Sequence, residues 1–387
     1  MPIKNRFAEL HPRITEWRRD LHAHPELMYD VHRTAEVVAD RLRAFGCDEV
    51  VPGIGRTGVV AVIRGRSDTK GRVIGLRADM DALPIHEETG AAHASTHPGV
   101  MHACGHDGHT AMLLGAAQYL AETRNFDGTA VVIFQPAEEG GAGGKAMVDD
   151  GLMERWGVQE VYGLHNAPGL PAGTFAIRPG PMMAATDEFE IVLEGRGGHA
   201  ARPHQTVDTA VMSFHLGVAL QQIVARNADP VEQLVVSVTS IQSSSTAFNV
   251  IPQRVTLRGT VRSMQEAQRA MARRRIHEVA GGIAATFGGS AQVDFAEGYP
   301  VLVNHEAETG YAMEVARAVA GDCGISPMVM GGEDFAFMLQ ARPGAYIRLG
   351  NGDSAGLHHP KYDFNDEIIP MGCSWLAGMV ETRMPAG

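Results

Sequence analysis

The sequence predicts an α/β protein: a larger domain with a central mixed sheet flanked by helices, and a smaller α+β domain inserted into it. Three observations carry this. The chain has 387 residues, too many for one ordinary core, so two domains are the natural expectation. Helix and strand patterns alternate along its first half, as they do when a buried sheet is covered on both faces. The pattern then changes near Pro179-Gly180-Pro181, beyond which a strand begins with alternating polar and apolar residues, as half-exposed strands do.

Apolar spacing at three and four predicts helices over 7–23 and 34–45. Short runs with β-branched residues predict strands at 58–64 and 72–77. A loop rich in Asp, Pro and His follows, and 106–122, full of Ala and Leu, reads as a helix. Residues 129–134 and 161–164 read as buried strands. The insertion reads as a strand at 188–193, a helix at 208–224, strands at 234–241 and 254–261, a long helix at 265–287 and a strand at 291–295. That is the order of a sheet covered on one face. The expected division is 1–183 with 298–387 for the larger domain and 184–297 for the insertion.

Composition excludes several classes. Hydrophobic residues are 44% and charged residues 20%, ordinary for a globular chain. The net charge is −12, and the cluster Arg273-Arg274-Arg275 sits in a helical stretch where a solvated face is expected, so no nucleic-acid partner is predicted. Cys47, Cys104, Cys323 and Cys373 are scattered without a CxxC pair, which suits neither a disulfide framework nor a zinc ribbon and fits a reducing compartment. Residues 1–20 are charged and amphipathic, without the apolar centre or cleavage site of a signal peptide. With no apolar run near the ~18 residues of a membrane span, a cytoplasmic protein with no membrane partner is expected.

The densest chemical signal is Met101-His102-Ala103-Cys104-Gly105-His106-Asp107-Gly108-His109. From Cys104 to His109 a thiol and two imidazoles fall between a loop and a helix start, which alone is as readily a solvated turn as a metal site. Glu138-Glu139 follows the strand at 129–134. Adjacent carboxylates after a buried strand are costly unless a cation meets them. One can bind metal while its neighbour serves as general base; an exposed acidic turn is the alternative. His165 closes the strand at 161–164, at the sheet edge where α/β proteins place ligands. His358-His359-Pro360 lies in a polar loop that by itself reads as a turn. Asp79 and Asp81 end another strand at i and i+2; one could orient a ligand imidazole, or the pair could cap a turn. Together these clusters form a distributed set of S, N and O donors that suits zinc, manganese, cobalt or nickel.

At this point the chain resembles the family of dinuclear metallo-aminohydrolases that contains hippurate hydrolase, N-acyl-amino-acid amidohydrolases and auxin-conjugate hydrolases. More distant relatives are carboxypeptidase G and succinyl-diaminopimelate desuccinylase. The matching segments span nearly the whole chain, from Arg18-Arg19-Asp20-Leu21-His22 and Arg77-Ala78-Asp79-Met80-Asp81 through residues 101–109 and 135–140. They continue through Gly163-Leu164-His165-Asn166, Gly197-Gly198-His199, Asn249-Val250-Ile251-Pro252, Gly332-Glu333-Asp334 and Leu357-His358-His359-Pro360.

The resemblance implies a catalytic domain interrupted by a lid that often also dimerises, so a homodimer or higher homo-oligomer is expected. It implies two divalent metal ions held by Cys104, His106, Glu139, His165 and His358, with Glu138 as general base and Asp81 as the carboxylate that orients a ligand. In the lid, His199 matches a histidine that polarises the scissile carbonyl, and Asn249 a residue near the substrate carboxylate. The implied reaction cleaves N-acyl amino acids to a carboxylic acid and a free amino acid. The distant relatives carry a metal-binding His where Asp79 stands and lack the Cys104 ligand. Arg348 occupies a position where a bulky apolar or aromatic residue is expected. The alternatives are a dipeptidase or exopeptidase of the same family, a non-catalytic metal-bound protein that binds a small amide, and a thiol enzyme using Cys104.

Overall fold

A computed structural model describes residues 4–387; the first three residues of the expected larger domain, and of the charged N-terminal segment, lie outside the described residues. The strands of the two larger sheets, in chain order, are β1 (Glu49–Ile54), β2 (Gly58–Arg64), β3 (Val73–Asp79), β4 (Thr129–Gln135), β5 (Glu160–Pro168) and β6 (Phe175–Ile177), then β7 (Ala185–Glu194), β8 (Leu234–Ser243), β9 (Arg254–Ser263) and β10 (Ser290–Glu297), and finally β11 (Gly324–Ile325) and β12 (Gly344–Gly352). The longer helices are α1 (Asn5–Ala23), α2 (His32–Ala44), α3 (His106–Thr123), α4 (Thr209–Leu220), α5 (Glu266–Thr286), α6 (Glu306–Ala320) and α7 (Ile369–Arg383). No helix among the described residues is long and apolar enough to cross a membrane.

The chain forms two compact units. The first holds the residues up to Gly180 with Val303–Pro327 and Asp334–Gly387; the second holds Pro181–Leu302 with Met328–Glu333. The sequence placed the insertion at 184–297. The extra segment at 328–333 joins the second unit through backbone bonds, Ala184 N–H to the carbonyls of Val329 and Gly331 and Val329 N–H to that of Met182. Periodicity carries no trace of such pairing.

In the first unit eight strands form one mixed sheet in the order β1-β2-β4-β3-β5-β12-β6-β11. Its centre, β4, β3, β5 and β12, is parallel. These strands read as continuous apolar runs because both faces are covered; Ala130 through Gln135 are all buried. Helix α3 is buried on nearly every side, and it is rich in Ala and Gly because neighbours approach it closely. A Cβ on Gly115 would stand 2.6 Å from Ile14 Cδ1 and 2.8 Å from Cys373 Sγ. Helix α1 buries Phe7, Leu10, Ile14, Trp17 and Leu21, spaced three or four apart. Each such side chain contributes roughly 1.5–3 kcal/mol of burial. The edge strand β1 was not expected: Pro52 and Gly53 interrupt it and are exposed, and Glu49–Val51 are only half-buried, which edge position permits.

In the second unit the sheet order is β8-β9-β7-β10, antiparallel throughout. Phe189, Ile191, Leu193, Val255, Leu257 and Val261 alternate inward and pack with Met212 and Leu216 of α4 and Ile276 and Ala280 of α5. Asp208 caps α4 by accepting the N–H groups of Ala210 and Val211. The buried Asp187 carboxylate is held by Arg269, Nε at 2.8 Å and Nη2 at 2.5 Å. Arg274 and Arg275 pair with Glu278, and Arg273 with Glu297, as befits a solvated face.

Candidate active site

The site lies at the C-terminal edge of the parallel strands of the first unit, where successive loops converge. After β4 the chain turns sharply, with Ala137 at φ 53°, and delivers Glu138 and Glu139. The end of β5 carries His165. The start of α3 carries His106, one residue after Gly105 at φ 87°. The loop after β12 carries His358 at φ 63°, and its backbone N–H bonds Ala103 O at 2.8 Å, which ties that loop to the Cys104 segment. Left-handed non-glycine residues such as Ala137 and His358 cost free energy and concentrate where a side chain must be aimed.

Cys104, His106, Glu139, His165 and His358, all singled out from the sequence, come together here. Cys104 Sγ is 3.4 Å from His165 Nε2. Glu139 Oε1 is 3.2 Å from His358 Nε2 and 3.9 Å from His106 Nε2. Ligand atoms of Cys104, His106 and His165 lie within 4.8 Å of one another; so do those of Cys104, Glu139 and His358, and those of His106, Glu138 and Glu139. His165 Nδ1 lies 2.6 Å from the Asn166 carbonyl, which can only accept, so Nδ1 carries the proton and the Nε2 lone pair faces Cys104.

The donor set fits a divalent cation on one further observation. Neither ring nitrogen of the fully buried His106 has a hydrogen-bond partner, and Glu139 Oε1 makes no well-aligned hydrogen bond although His358 Nε2 stands 3.2 Å away. Buried polar atoms left unpaired are costly unless a ligand satisfies them. Burial opposes a charged His106, yet Asp79, Asp81 and Glu139 outweigh it and raise its pKa to about 10. Burial, with Glu139, Glu138 and Asp79, pushes the Cys104 thiol well above its ordinary value. A thiol so placed is a poor free nucleophile and becomes a thiolate only beside a cation.

The surrounding residues explain why these groups hold still. Asp81 Oδ1 accepts the backbone N–H of Glu138 at 2.9 Å and Oδ2 that of Glu139 at 3.1 Å; Oδ1 is also 3.5 Å from His106 Nδ1. Asp79 does something different. Its Oδ1 is 2.7 Å from His109 Nδ1, while His109 Nε2 accepts the Asn166 N–H at 2.9 Å. Both nitrogens of His109 are therefore committed within the protein, although His109 lies in the densest motif. Asp79 is itself held by Arg77, which also meets Gln135 and Asp334. Asn166 Nδ2 donates to Cys104 O at 2.7 Å and its Oδ1 accepts the Tyr362 hydroxyl at 2.8 Å. Asp107 anchors the first turn of α3 to α1 through His22 at 2.9 Å and Arg18 at 3.4 Å. Sequence reading gave no role to His109, Asn166 or Tyr362; only the place of Asn166 after His165 hinted at one.

The two remaining residues named from the sequence lie in the second unit, on neighbouring segments that pair. His199 stands in the short strand Gly198–His199, which pairs with Val250–Ile251. Ala200 N–H bonds Asn249 O at 2.9 Å, and both His199 and Asn249 are exposed.

Residues 75–382 match the family described as Peptidase family M20/M25/M40. The chain is 40% identical over 375 residues to hippurate hydrolase of Campylobacter jejuni, which covers 96% of each chain. It is 39% identical over 380 residues to thermostable carboxypeptidase 1 of Saccharolobus solfataricus, covering 96% of this chain and 95% of that one. A Bacillus subtilis protein described as a dinuclear metal binding peptidase from the M20 family superposes with a TM-score of 0.85 at 34% identity, over 98% of this chain and all of the other.

Proposed function

The chain belongs to peptidase family M20/M25/M40, and on that basis we propose that this metallo-amidohydrolase cleaves N-acyl amino acids, hippurate-like or N-acetyl, to a carboxylic acid and a free amino acid. The observation that carries the reading is the adjacent pair Glu138 and Glu139, fixed by Asp81 beside two imidazoles and a thiol. Cys104, His106, Glu139, His165 and His358 would hold two divalent ions, of zinc, manganese, cobalt or nickel type. Such ions, when bound, acidify water and polarise the scissile carbonyl.

Glu138 takes the proton of the attacking water and returns it to the leaving amine, so one water is consumed and one amide bond broken. Asp81 keeps the Glu138-Glu139 backbone in place and faces His106. The interrupted domain, 1–183 with 298–387, is the catalytic one in this reading, and 184–297 is the lid. His199 is assigned to the oxyanion and Asn249 to the substrate carboxylate on family resemblance alone. An exposed stripe on α4, Val211, Phe214 and Val218, supports dimerisation through the lid.

A second reading, an exopeptidase acting on short peptides, is favoured by the likeness to the thermostable carboxypeptidase. A panel of N-acetyl and N-benzoyl amino acids against dipeptides, with metal-loaded protein, decides between them. The proposal expects kcat/KM at least about tenfold higher for the N-acyl set, which corresponds to 1.4 kcal/mol. The opposite ratio assigns the exopeptidase.

A further inference from the structure

Arg348 lies in β12, in register with His165 on the parallel neighbour β5 and with Ala176 on β6. Residues paired across a parallel ladder leave the sheet on the same face. Arg348 therefore emerges on the side of His165. Tyr346, two residues earlier, does the same, with its ring centroid 6.4 Å from that of His165. The flanking Ile347 and Leu349 point the other way into the core.

The guanidinium of Arg348 is half-buried and has no hydrogen-bond or carboxylate partner among the described residues. The more deeply buried arginines are all paired: Arg18 with Asp107 and Asp366, Arg77 with Asp79 and Asp334, Arg269 with Asp187. Burial pulls the pKa of Arg348 down with no carboxylate to offset it. A guanidinium does not escape by losing its proton, and a cation withdrawn from water without a counter-charge is destabilising. Evolution had an apolar option at a strand position between two core residues. An unpaired cation one strand from His165 is explained if the counter-charge arrives with the substrate.

We infer that Arg348 is a specificity residue that receives a second anionic group, so that the preferred N-acyl amino acids carry a carboxylate in the acyl group or side chain besides the α-carboxylate. This rests on the N-acyl amino acid reading above. The planar fork of a guanidinium suits a carboxylate, which accepts two parallel N–H bonds.

The test uses the full metal-loaded chain and two matched pairs: N-succinylalanine against N-butanoylalanine, and N-acetylglutamate against N-acetylglutamine. The wild type should favour the extra carboxylate about tenfold or more in kcat/KM in at least one pair. Arg348→Met should abolish that preference, chiefly through KM, and Arg348→Lys, which keeps the charge but not the fork, should retain only part of it. No preference in either pair, a preference that Arg348→Met leaves intact, or an equal fall for all four compounds overturns the inference. Calorimetric titration with succinate, with butanoate as the control, separates the two levels of the argument. If none of the four compounds is cleaved yet Arg348→Met weakens succinate binding about tenfold, the N-acyl reading fails while the anion subsite stands. If they are cleaved without the expected preference, the subsite fails alone.

Discussion

Asp81 and Glu138 are joined by a hydrogen bond from the Glu138 backbone N–H to Asp81 Oδ1 at 2.9 Å, and the other oxygen of the same carboxylate holds the N–H of Glu139 at 3.1 Å. One side chain thus fixes the residue proposed as base and the residue proposed as ligand. Asp81→Ala should weaken metal binding about 10–100-fold, the usual effect of losing an outer-sphere partner. Metal retention after dialysis against a graded chelator series reads this directly. Retention equal to wild type would remove Asp81 from that role.

Removal of divalent metal should reduce turnover to background, and added zinc, manganese, cobalt or nickel should restore it. Cys104→Ala and His165→Ala should each lose bound metal while keeping the fold, checked by metal analysis beside circular dichroism. A metal-free protein that keeps full activity would favour the thiol-enzyme reading of Cys104.

Gly105 is required by its surroundings. A Cβ there would stand 2.4 Å from Asn166 Nδ2 and 2.5 Å from Tyr362 Oη, and φ is 87°. Gly105→Ala should destabilise by about 2–4 kcal/mol, since strain and overpacking add. Urea denaturation measures it; a change below about 0.5 kcal/mol would mean that the Asn166–Tyr362 pair yields easily.

Glu160 predicts part of the acid limb of stability. Burial opposes its charge, but hydrogen bonds from Arg383 and Tyr162 and the charges of Arg383 and Arg72 outweigh this and hold its pKa below 4.5. Its folded pKa is depressed, so its contribution is complete above the unfolded value and disappears as pH falls through the folded one. The Tm of Glu160→Gln should lie roughly 2–4 °C below wild type at neutral pH. That gap should narrow as pH falls below the ordinary carboxylate value and through the depressed folded one. A gap that is constant with pH would show that the loss comes from packing.

Much of this was legible in the sequence, for identifiable reasons. The apolar runs of β2 and β4 and the spacing of α1 reflect burial directly, so their positions could be read from periodicity. Glu138 and Glu139 stand out because adjacent carboxylates are costly after a buried strand, and Cys104 and His106 because a thiol and imidazoles crowd one short segment. Asp79 and Asp81 looked like one carboxylate pair on one extended segment. In the structure β3 stops at Asp79, and the two serve different partners, His109 and the Glu138-Glu139 backbone. His358 drew its significance from family resemblance, because a polar loop histidine has no local signal. The pairing of 328–333 with the second unit and the Asn166–Tyr362 bond join residues far apart in the chain, which no local pattern encodes.

The central claim is that Glu138 moves the proton while its neighbour Glu139 and the other four donors hold the metal. The most direct measurement is kcat together with metal content for Glu138→Gln on the best N-acyl amino acid found. The account predicts a fall in kcat of about 10²–10⁴-fold, with metal content and fold unchanged. Turnover within a few-fold of wild type would contradict it, as would a loss of activity that merely tracks a loss of metal.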